Sequence, residues 1–266
     1  LNGIFAIAIW DNAIKKLIIT RDPFGVKPLF FLKQFNSFYF SSELKSFTLN
    51  KISNQINLLS LGQYLHSGYV FHPHTALQNV EQLKPGEIIS IDDKINIKKI
   101  KRLEIPYFKK DQQFDTNEKF LLEKTKNEIS DSISRQMVSD VPVGLLLSSG
   151  TDSLTILTYL KKLGLSESLS TFSIYYDNEH FNEIDEIKKI TSKWGIKNYS
   201  LQLSSKDLWN NFDNLFLTYD NLEFIPTCFP AYMVSKLASS HVKVAHAGIG
   251  GDEIFGGYPT YRATML

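Results

Sequence analysis

The stretch Val141-Pro142-Val143-Gly144-Leu145-Leu146-Leu147-Ser148-Ser149-Gly150-Thr151-Asp152-Ser153 decides how this chain is read. Val141 through Leu147 is an almost unbroken apolar run, the pattern of a strand covered on both faces of a parallel sheet. Beyond it, Leu154, Leu157, Leu160 and Leu163 recur at helical spacing, with Lys161 and Lys162 in the last turn and Gly164 as the stop. Ser148 to Ser153 therefore lie between a strand end and a helix start. Backbone N–H groups there lack intrahelical partners and the helix dipole is positive, so the turn suits an anion. In an ordinary strand-to-helix turn the same serines and aspartate would only cap the helix, and taken alone the stretch leaves both readings open. Asp152 adds a condition: a carboxylate repels phosphate unless a cation lies between them, and Mg²⁺ commonly joins one or two carboxylates to substrate phosphates. No Gly-Lys-Ser/Thr follows at the spacing of a Walker loop.

A second loop bears on the choice. Val242-Lys243-Val244-Ala245-His246-Ala247 reads as another buried strand, followed by Gly248-Ile249-Gly250-Gly251-Asp252-Glu253-Ile254-Phe255-Gly256-Gly257-Tyr258. So many glycines cost conformational entropy and call for either a pair of turns or a site that needs close backbone approach. Two strands that each end in a glycine-bearing loop with an aspartate fit the rule that open α/β sheets bind ligands beyond the carboxyl ends of their strands. On that placement Asp152 and Asp252 share one metal-bound pyrophosphate.

Changes of period along the chain set the organisation. Asn2 to Trp10 reads as an interior strand. From there to about Arg102, short apolar or alternating runs are separated by turn signals at Asp11-Asn12, Asp22-Pro23, Gln34 to Ser37 and Asp92-Asp93, the pattern of antiparallel sheet. Leu58 to His66 is the expected helix within it. The polar segment Lys109 to Asn117 marks a boundary, giving units 1–112 and 113–266. After the first strand-helix pair, Thr171 to Tyr176 is a strand and Glu183 to Trp194 a helix with Ile184, Ile187, Ile190 and Trp194 on one face. Asn198 to Leu203 is a strand and Ala231 to Ser239 a helix before the last strand. The expectation is an α+β unit followed by an α/β unit with a parallel, doubly wound sheet.

Composition bounds the function. A net charge of +1 gives no electrostatic reason to expect a nucleic-acid partner. No apolar run approaches membrane-spanning length, so no membrane partner is expected. The single cysteine, Cys228, excludes an intrachain disulfide and suits a reducing, cytoplasmic setting. The chain opens on Leu1, with no signal peptide, inside what reads as a strand, and is expected to be a fragment.

The Ser148 loop resembles the Ser-Gly-Gly-x-Asp-Ser pyrophosphate loop of ATP pyrophosphatases, with Ser149 in place of the first glycine. Together with Ser139-Asp140-Val141-Pro142-Val143-Gly144 and Gly250 to Tyr258 it resembles the synthetase domain of glutamine-hydrolysing asparagine synthetases. Asn2-Gly3-Ile4-Phe5-Ala6, Arg21 to Leu29, Phe40-Ser41-Ser42-Glu43 and Lys84-Pro85-Gly86-Glu87 are similar to the later part of that family's glutaminase domain. The resemblance implies the later part of a type 2 glutamine amidotransferase domain of N-terminal-nucleophile type, without its N-terminal cysteine. It implies next an ATP-pyrophosphatase domain, adenine nucleotide alpha hydrolase-like, cut short at its end. The implied reaction activates a carboxylate with ATP as an acyl adenylate, releases pyrophosphate and transfers ammonia from glutamine. Asp152 and Asp252 are then the catalytic and Mg²⁺-holding residues. Leu147, Ser148, Ser149, Gly150, Thr151, Ser153, Ile174, Ala247 and Gly248 bind ATP or pyrophosphate. Aspartate is the implied acceptor, glutamine or ammonia the nitrogen source, and a homodimer is compatible.

Ile249 departs from the family, where the position usually bears Asp or Glu. An isoleucine cannot accept a proton or bind a cation, so either another group does that work or the acceptor differs, for example a sugar acid. In a reshaped apolar pocket a carboxylate at 249 would be desolvated without a partner. A non-catalytic nucleotide-binding relative is the other reading, and retention of both aspartates favours the enzyme. Four further features have blander readings. His72 and His74 lack a third metal ligand and read as loop, and Cys228 reads as a buried thiol. The charges of Arg21 to Leu29 read as structural ion pairs or ligand contacts, the structural reading being favoured. The acidic cluster Asp177, Glu179, Glu183, Asp185 and Glu186 reads as a solvated helix start, with Glu183 alone facing the nucleotide by similarity.

Overall fold

The computed structural model describes residues 1–103, 117–176, 183–222 and 225–263, so Asp177 and Glu179 lie outside the described residues. The chain divides into two compact units, Leu1–Gln112 with Asp213–Pro226 and Gln113–Phe212 with Thr227–Leu266.

In the first unit the elements are β1 (Ala6–Asp11), β2 (Lys16–Arg21), β3 (Phe30–Gln34), β4 (Ser37–Ser41), α1 (Lys45–Leu49), α2 (Leu58–Ser67), β5 (Glu81–Gln82), β6 (Glu87–Ile91) and β7 (Ile97–Arg102). Two antiparallel sheets result, ordered β1-β2-β6-β7 and β4-β3-β5. Period-two alternation sends Ile19, Ile89 and Ile91 into one core with Leu29 and Leu83, while Phe30 and Leu32 join Leu44, Phe47, Leu77 and Val80 in another. Helix α2 starts where Asn57 Oδ1 accepts from Ser60 N–H (3.2 Å) and stops at the left-handed Gly68. Of the expected interior strand Asn2 to Trp10, Ala6–Asp11 forms β1, which among the described residues pairs with β2 on one side and leaves Ile9 and Trp10 each about half exposed. The Asp213–Pro226 segment is tied to this unit through side chains: Asp220 Oδ2 accepts from Lys45 N–H (2.7 Å) and Asn221 Oδ1 from Ala76 N–H (2.9 Å). Burial raises the Asp220 carboxyl above its ordinary pKa.

Arg21 and Asp22 are buried and structural, through backbone hydrogen bonds rather than a mutual ion pair. Arg21 donates to the carbonyls of Leu83 (2.7 Å) and Gly25. The Asp22 carboxylate accepts from the N–H groups of Phe24 (3.2 Å), Val26 (2.9 Å) and Lys27 (3.0 Å), closing the loop that both prolines keep out of regular structure. His72 and His74 lie in a turn in which His74 N–H donates to Phe71 C=O (3.0 Å).

Further along the chain are α3 (Glu118–Gln136), β8 (Val143–Leu146), α4 (Thr151–Lys162), β9 (Ser170–Tyr176), α5 (Ile184–Trp194), β10 (Lys197–Leu203), α6 (Ser205–Thr218), α7 (Cys228–Ser239), β11 (Val244–His246), α8 (Gly251–Phe255) and α9 (Pro259–Ala263). The sheet of the second unit is parallel throughout, in the order β10-β9-β8-β11. Leu145 and Leu147 point to one face, where Ile133 of α3, Leu157 and Leu160 of α4 and Ile187 of α5 complete a core. Leu146 and Phe172 serve the other face, against Val234 and Ala238 of α7. Helices thus cover both faces. Gly144 is needed in β8 because a Cβ there would sit 2.6 Å from the Phe172 ring. The expected buried strand at Val242 to Ala247 is corrected: β11 is short, pairs among the described residues only with β8, and leaves Val244 and Ala245 exposed. Helices α3 and α6 had no reading in the sequence, since α3 is largely exposed and polar with a narrow apolar stripe.

The Asp22 bonds give a testable expectation. Burial opposes ionisation of Asp22, but the N–H groups of Lys27, Val26 and Phe24 together outweigh it and lower its pKa below the ordinary 3.8. A lowered folded pKa means the carboxylate stabilises fully above the unfolded value, and that contribution is lost as pH falls through the folded value. Asp22→Asn should cost about 3 kcal/mol in urea unfolding at pH 7, and the gap to wild type should narrow on acidification below pH about 4.

Candidate functional site

The strand order of the second unit creates the site. From β8 the chain moves outward to β9 and β10, then returns to the opposite side of β8 as β11. The direction of winding therefore reverses between β8 and β11, and open α/β sheets bind ligands at that point, beyond the strands' carboxyl ends. The loops after β8 and β11 meet there. They line an open cleft of about 900 Å³ with Leu146, Phe172, Ile174, Thr227 and Val234.

The first loop is held by its own hydroxyls. Ser153 Oγ accepts from Ser148 N–H (3.2 Å), its proton is shared between the carbonyls of Ser148 (2.9 Å) and Gly150 (3.2 Å), and it lies 3.0 Å from Ser148 Oγ. Gly150 N–H donates to Ser148 Oγ (3.2 Å), and Ser149 N–H donates across to Glu183 Oε2 (2.9 Å). The carbonyl of Leu147 accepts from Ser173 Oγ (2.8 Å) on β9, and Ser173 Oγ in turn accepts from Asn198 Nδ2 (3.0 Å) on β10. Gly150 is the N-cap of α4 and has no side chain to satisfy the first turn. The ladder of α4 opens with Leu154 N–H to Gly150 C=O (3.1 Å), so the N–H groups of Thr151, Asp152 and Ser153 precede it. Of the anion-holding amides expected over Ser148 to Ser153, three are already satisfied within the protein. The remaining ones are those of the first helical turn.

Glycines of the second loop press against Asp152. A Cβ on Gly248 would lie 2.9 Å from both Asp152 Cβ and Ser153 N, and one on Gly251 would overlap the Asp152 carboxylate. A Cβ on Gly257 would likewise overlap Asp252. Gly250, at φ 102°, starts α8 in a conformation that side chains rarely adopt. Tyr258 OH donates to Glu253 (2.9 Å). Glu253 is held below its ordinary pKa by its own backbone N–H and by this bond, which also raises the Tyr258 phenol. Burial raises Tyr176 and lowers His246, which keeps the imidazole neutral at the end of β11.

The cleft gathers Leu147, Ser148, Gly150, Thr151, Asp152, Ser153, Ile174, Ala247, Gly248, Ile249 and Asp252 of the residues expected from the sequence; Ser149, whose N–H is taken by the cleft-lining Glu183 carboxylate, is not in its wall. The Leu147 side chain belongs to the core with Leu157 and Leu160, so the apolar wall comes instead from Leu146, Phe172, Ile174 and Val234. Reading alternation along β8 would have found Leu146, whereas Val234 and Thr227 arrive through α7 and carry no local signal. Ile249 is 90% exposed at the cleft. Among the described residues, water reaches the side chain at this position. Cys228 is buried at the start of α7.

The donor set fits a hard divalent ion that is shared with phosphate. Asp152 and Asp252 supply two carboxylates to one cleft, and among the described residues no three His, Cys, Asp or Glu side chains converge on a common metal position. Phosphate oxygens and water would have to complete the coordination, as is usual for Mg²⁺.

Known proteins match the chain in both of its halves. The glutamine amidotransferase domain model matches residues 1–101, and the asparagine synthase model matches residues 124–266. Asparagine synthetase [glutamine-hydrolyzing] 1 of Bacillus subtilis is 36% identical over 268 residues, covering all of this chain and 41% of that protein. Putative asparagine synthetase [glutamine-hydrolyzing] 2 of Methanocaldococcus jannaschii is 32% identical over 265 residues, covering 98% of this chain and 50% of that protein. The chain thus spans half or less of these relatives. With a family match running through both cleft loops, the chain belongs to the asparagine synthase family.

Proposed function

We propose that this chain is part of an ATP-dependent amidotransferase that makes asparagine from aspartate with glutamine as nitrogen donor. Residues 1–112 would form the later part of the type 2 glutamine amidotransferase domain, of N-terminal-nucleophile type. Residues 113–266 would begin an ATP-pyrophosphatase domain. The observation that carries the reading is the glycine-enforced packing of the Gly248–Gly251 backbone on Asp152, which unites two aspartates and a helix start beyond the strand ends.

The chemistry begins with a poor electrophile. A carboxylate resists ammonia because its leaving group would be oxide. Its oxygen instead attacks the α-phosphorus of ATP, the bond from that phosphorus to the β-bridging oxygen breaks, and pyrophosphate leaves. Ammonia then adds to the acyl carbon and AMP departs. The amides of Thr151, Asp152 and Ser153 are suited to bind charge on the departing phosphates, which is preorganised electrostatic stabilisation. Asp152 and Asp252 would hold Mg²⁺, which when bound offsets phosphate charge. Leu146, Phe172, Ile174 and Val234 offer an apolar wall for the adenine base. Ile249 supports a second reading, amidation of a different carboxylate such as a sugar acid, because the cleft presents an alkyl side chain there.

In the full-length protein, Asp152→Ala or Asp252→Ala should lower substrate-dependent ATP–pyrophosphate exchange on the order of 10²-fold or more while the far-UV spectrum stays unchanged. Exchange equal to wild type in both variants would remove the site. Gly251→Ala should also reduce exchange, because its methyl group must displace the Asp152 carboxylate. Ile249→Glu separates the acceptors. Since the position is exposed, its stability should stay within about 0.5 kcal/mol of wild type, and ammonia-dependent asparagine formation should be preserved or rise. Absence of asparagine formation from aspartate, ATP and ammonia by the wild type would favour another acceptor, whereas robust wild-type synthesis would exclude it.

A further inference from the structure

Glu183, just ahead of α5, contacts the β8–α4 loop through one bond, from Ser149 N–H to its Oε2 at 2.9 Å. The two neighbouring amides are satisfied within the loop, Ser148 N–H by Ser153 Oγ and Gly150 N–H by Ser148 Oγ. Ser149 N–H is thus held by an acidic side chain reaching over from another element, and that side chain lines the same cleft as Asp152 and Asp252. Its carboxylate is exposed and is not used to cap α5. A carboxylate oxygen on a loop amide offers the same charge and acceptor geometry as a phosphate oxygen.

We infer that Glu183 is a built-in competitor of pyrophosphate, contending with a phosphate oxygen for the Ser149 N–H and so weakening retention of the product. The inference rests on reading this loop as a pyrophosphate seat. When a phosphate oxygen takes the Ser149 amide, the Glu183 charge loses its donor and remains on the cleft wall beside a highly charged anion. Both effects act against bound pyrophosphate. Asp152 and Asp252 differ in kind, because their charges are available to a cation that phosphate also binds. Adenylate formation is reversible, so earlier loss of pyrophosphate from the seat leaves less of it bound to react back with the adenylate.

The test is calorimetric titration of the full-length wild type, Glu183→Ala and Glu183→Gln with magnesium pyrophosphate. Because Glu183 is exposed, both substitutions leave the core untouched. Glu183→Ala should bind on the order of tenfold more tightly than wild type, the scale of one hydrogen bond to a charged group. Glu183→Gln, which keeps an acceptor without the charge, should fall between them. Wild-type binding with equal or weaker binding by both variants overturns the inference alone, since Glu183 would then be supporting the binding conformation. Absence of binding in all three proteins removes the pyrophosphate seat itself, and the inference with it.

Discussion

Close backbone approach at Asp152 is the constraint on which the site depends. Gly248 and Gly251 leave no room for a Cβ between their loop and the Asp152 side chain, so the loop after β11 can reach the start of α4 only because both positions are glycine. That contact turns two separate strand ends into one cleft. It also explains the entropic cost of a glycine-rich segment: Gly250 and Gly256 accommodate positive φ, Gly251 and Gly257 give space to carboxylates, and Gly248 gives space to Asp152 Cβ and the Ser153 amide.

Polar groups around this contact are arranged so that little is left unmet except where a ligand can meet it. Ser148 and Ser153 satisfy the loop from within, and Asn198 and Ser173 fix the Leu147 carbonyl from two neighbouring strands. Such a chain rigidifies the strand-to-loop junction, because a buried polar group that loses its partner is expensive. The first unit uses the same device for a different end. Asp22 collects three backbone amides to shape a loop that prolines exclude from helix and sheet.

Much of this was legible in the chain. The apolar run before Ser148, the leucine period after it and the alternation of strands and helices specify a parallel sheet with a phosphate-type turn, because the relevant signals are local and periodic. The same holds for the antiparallel strands of the first unit and for α2. Exposure along a strand was not legible. Val242 to Ala247 read as a buried strand, yet Val244 and Ala245 are exposed, since apolar content records β propensity but not what will cover a strand. Helix α3 was missed for a related reason, its few core contacts being diluted among exposed polar residues.

By itself the sequence determined the strands, the turn chemistry and the residue types beyond β8 and β11, all of which follow from spacing and from the conformational freedom of glycine. Only the tertiary structure decided the strand order that puts β11 beside β8, and with it the meeting of Asp152 and Asp252. It alone showed that Leu146 rather than the Leu147 side chain forms the apolar wall, and that Ile249 stands in solvent. It alone placed Glu183 on the Ser149 amide, 34 residues away. Each of these depends on which surfaces pack together, and packing between distant segments leaves no period in the chain.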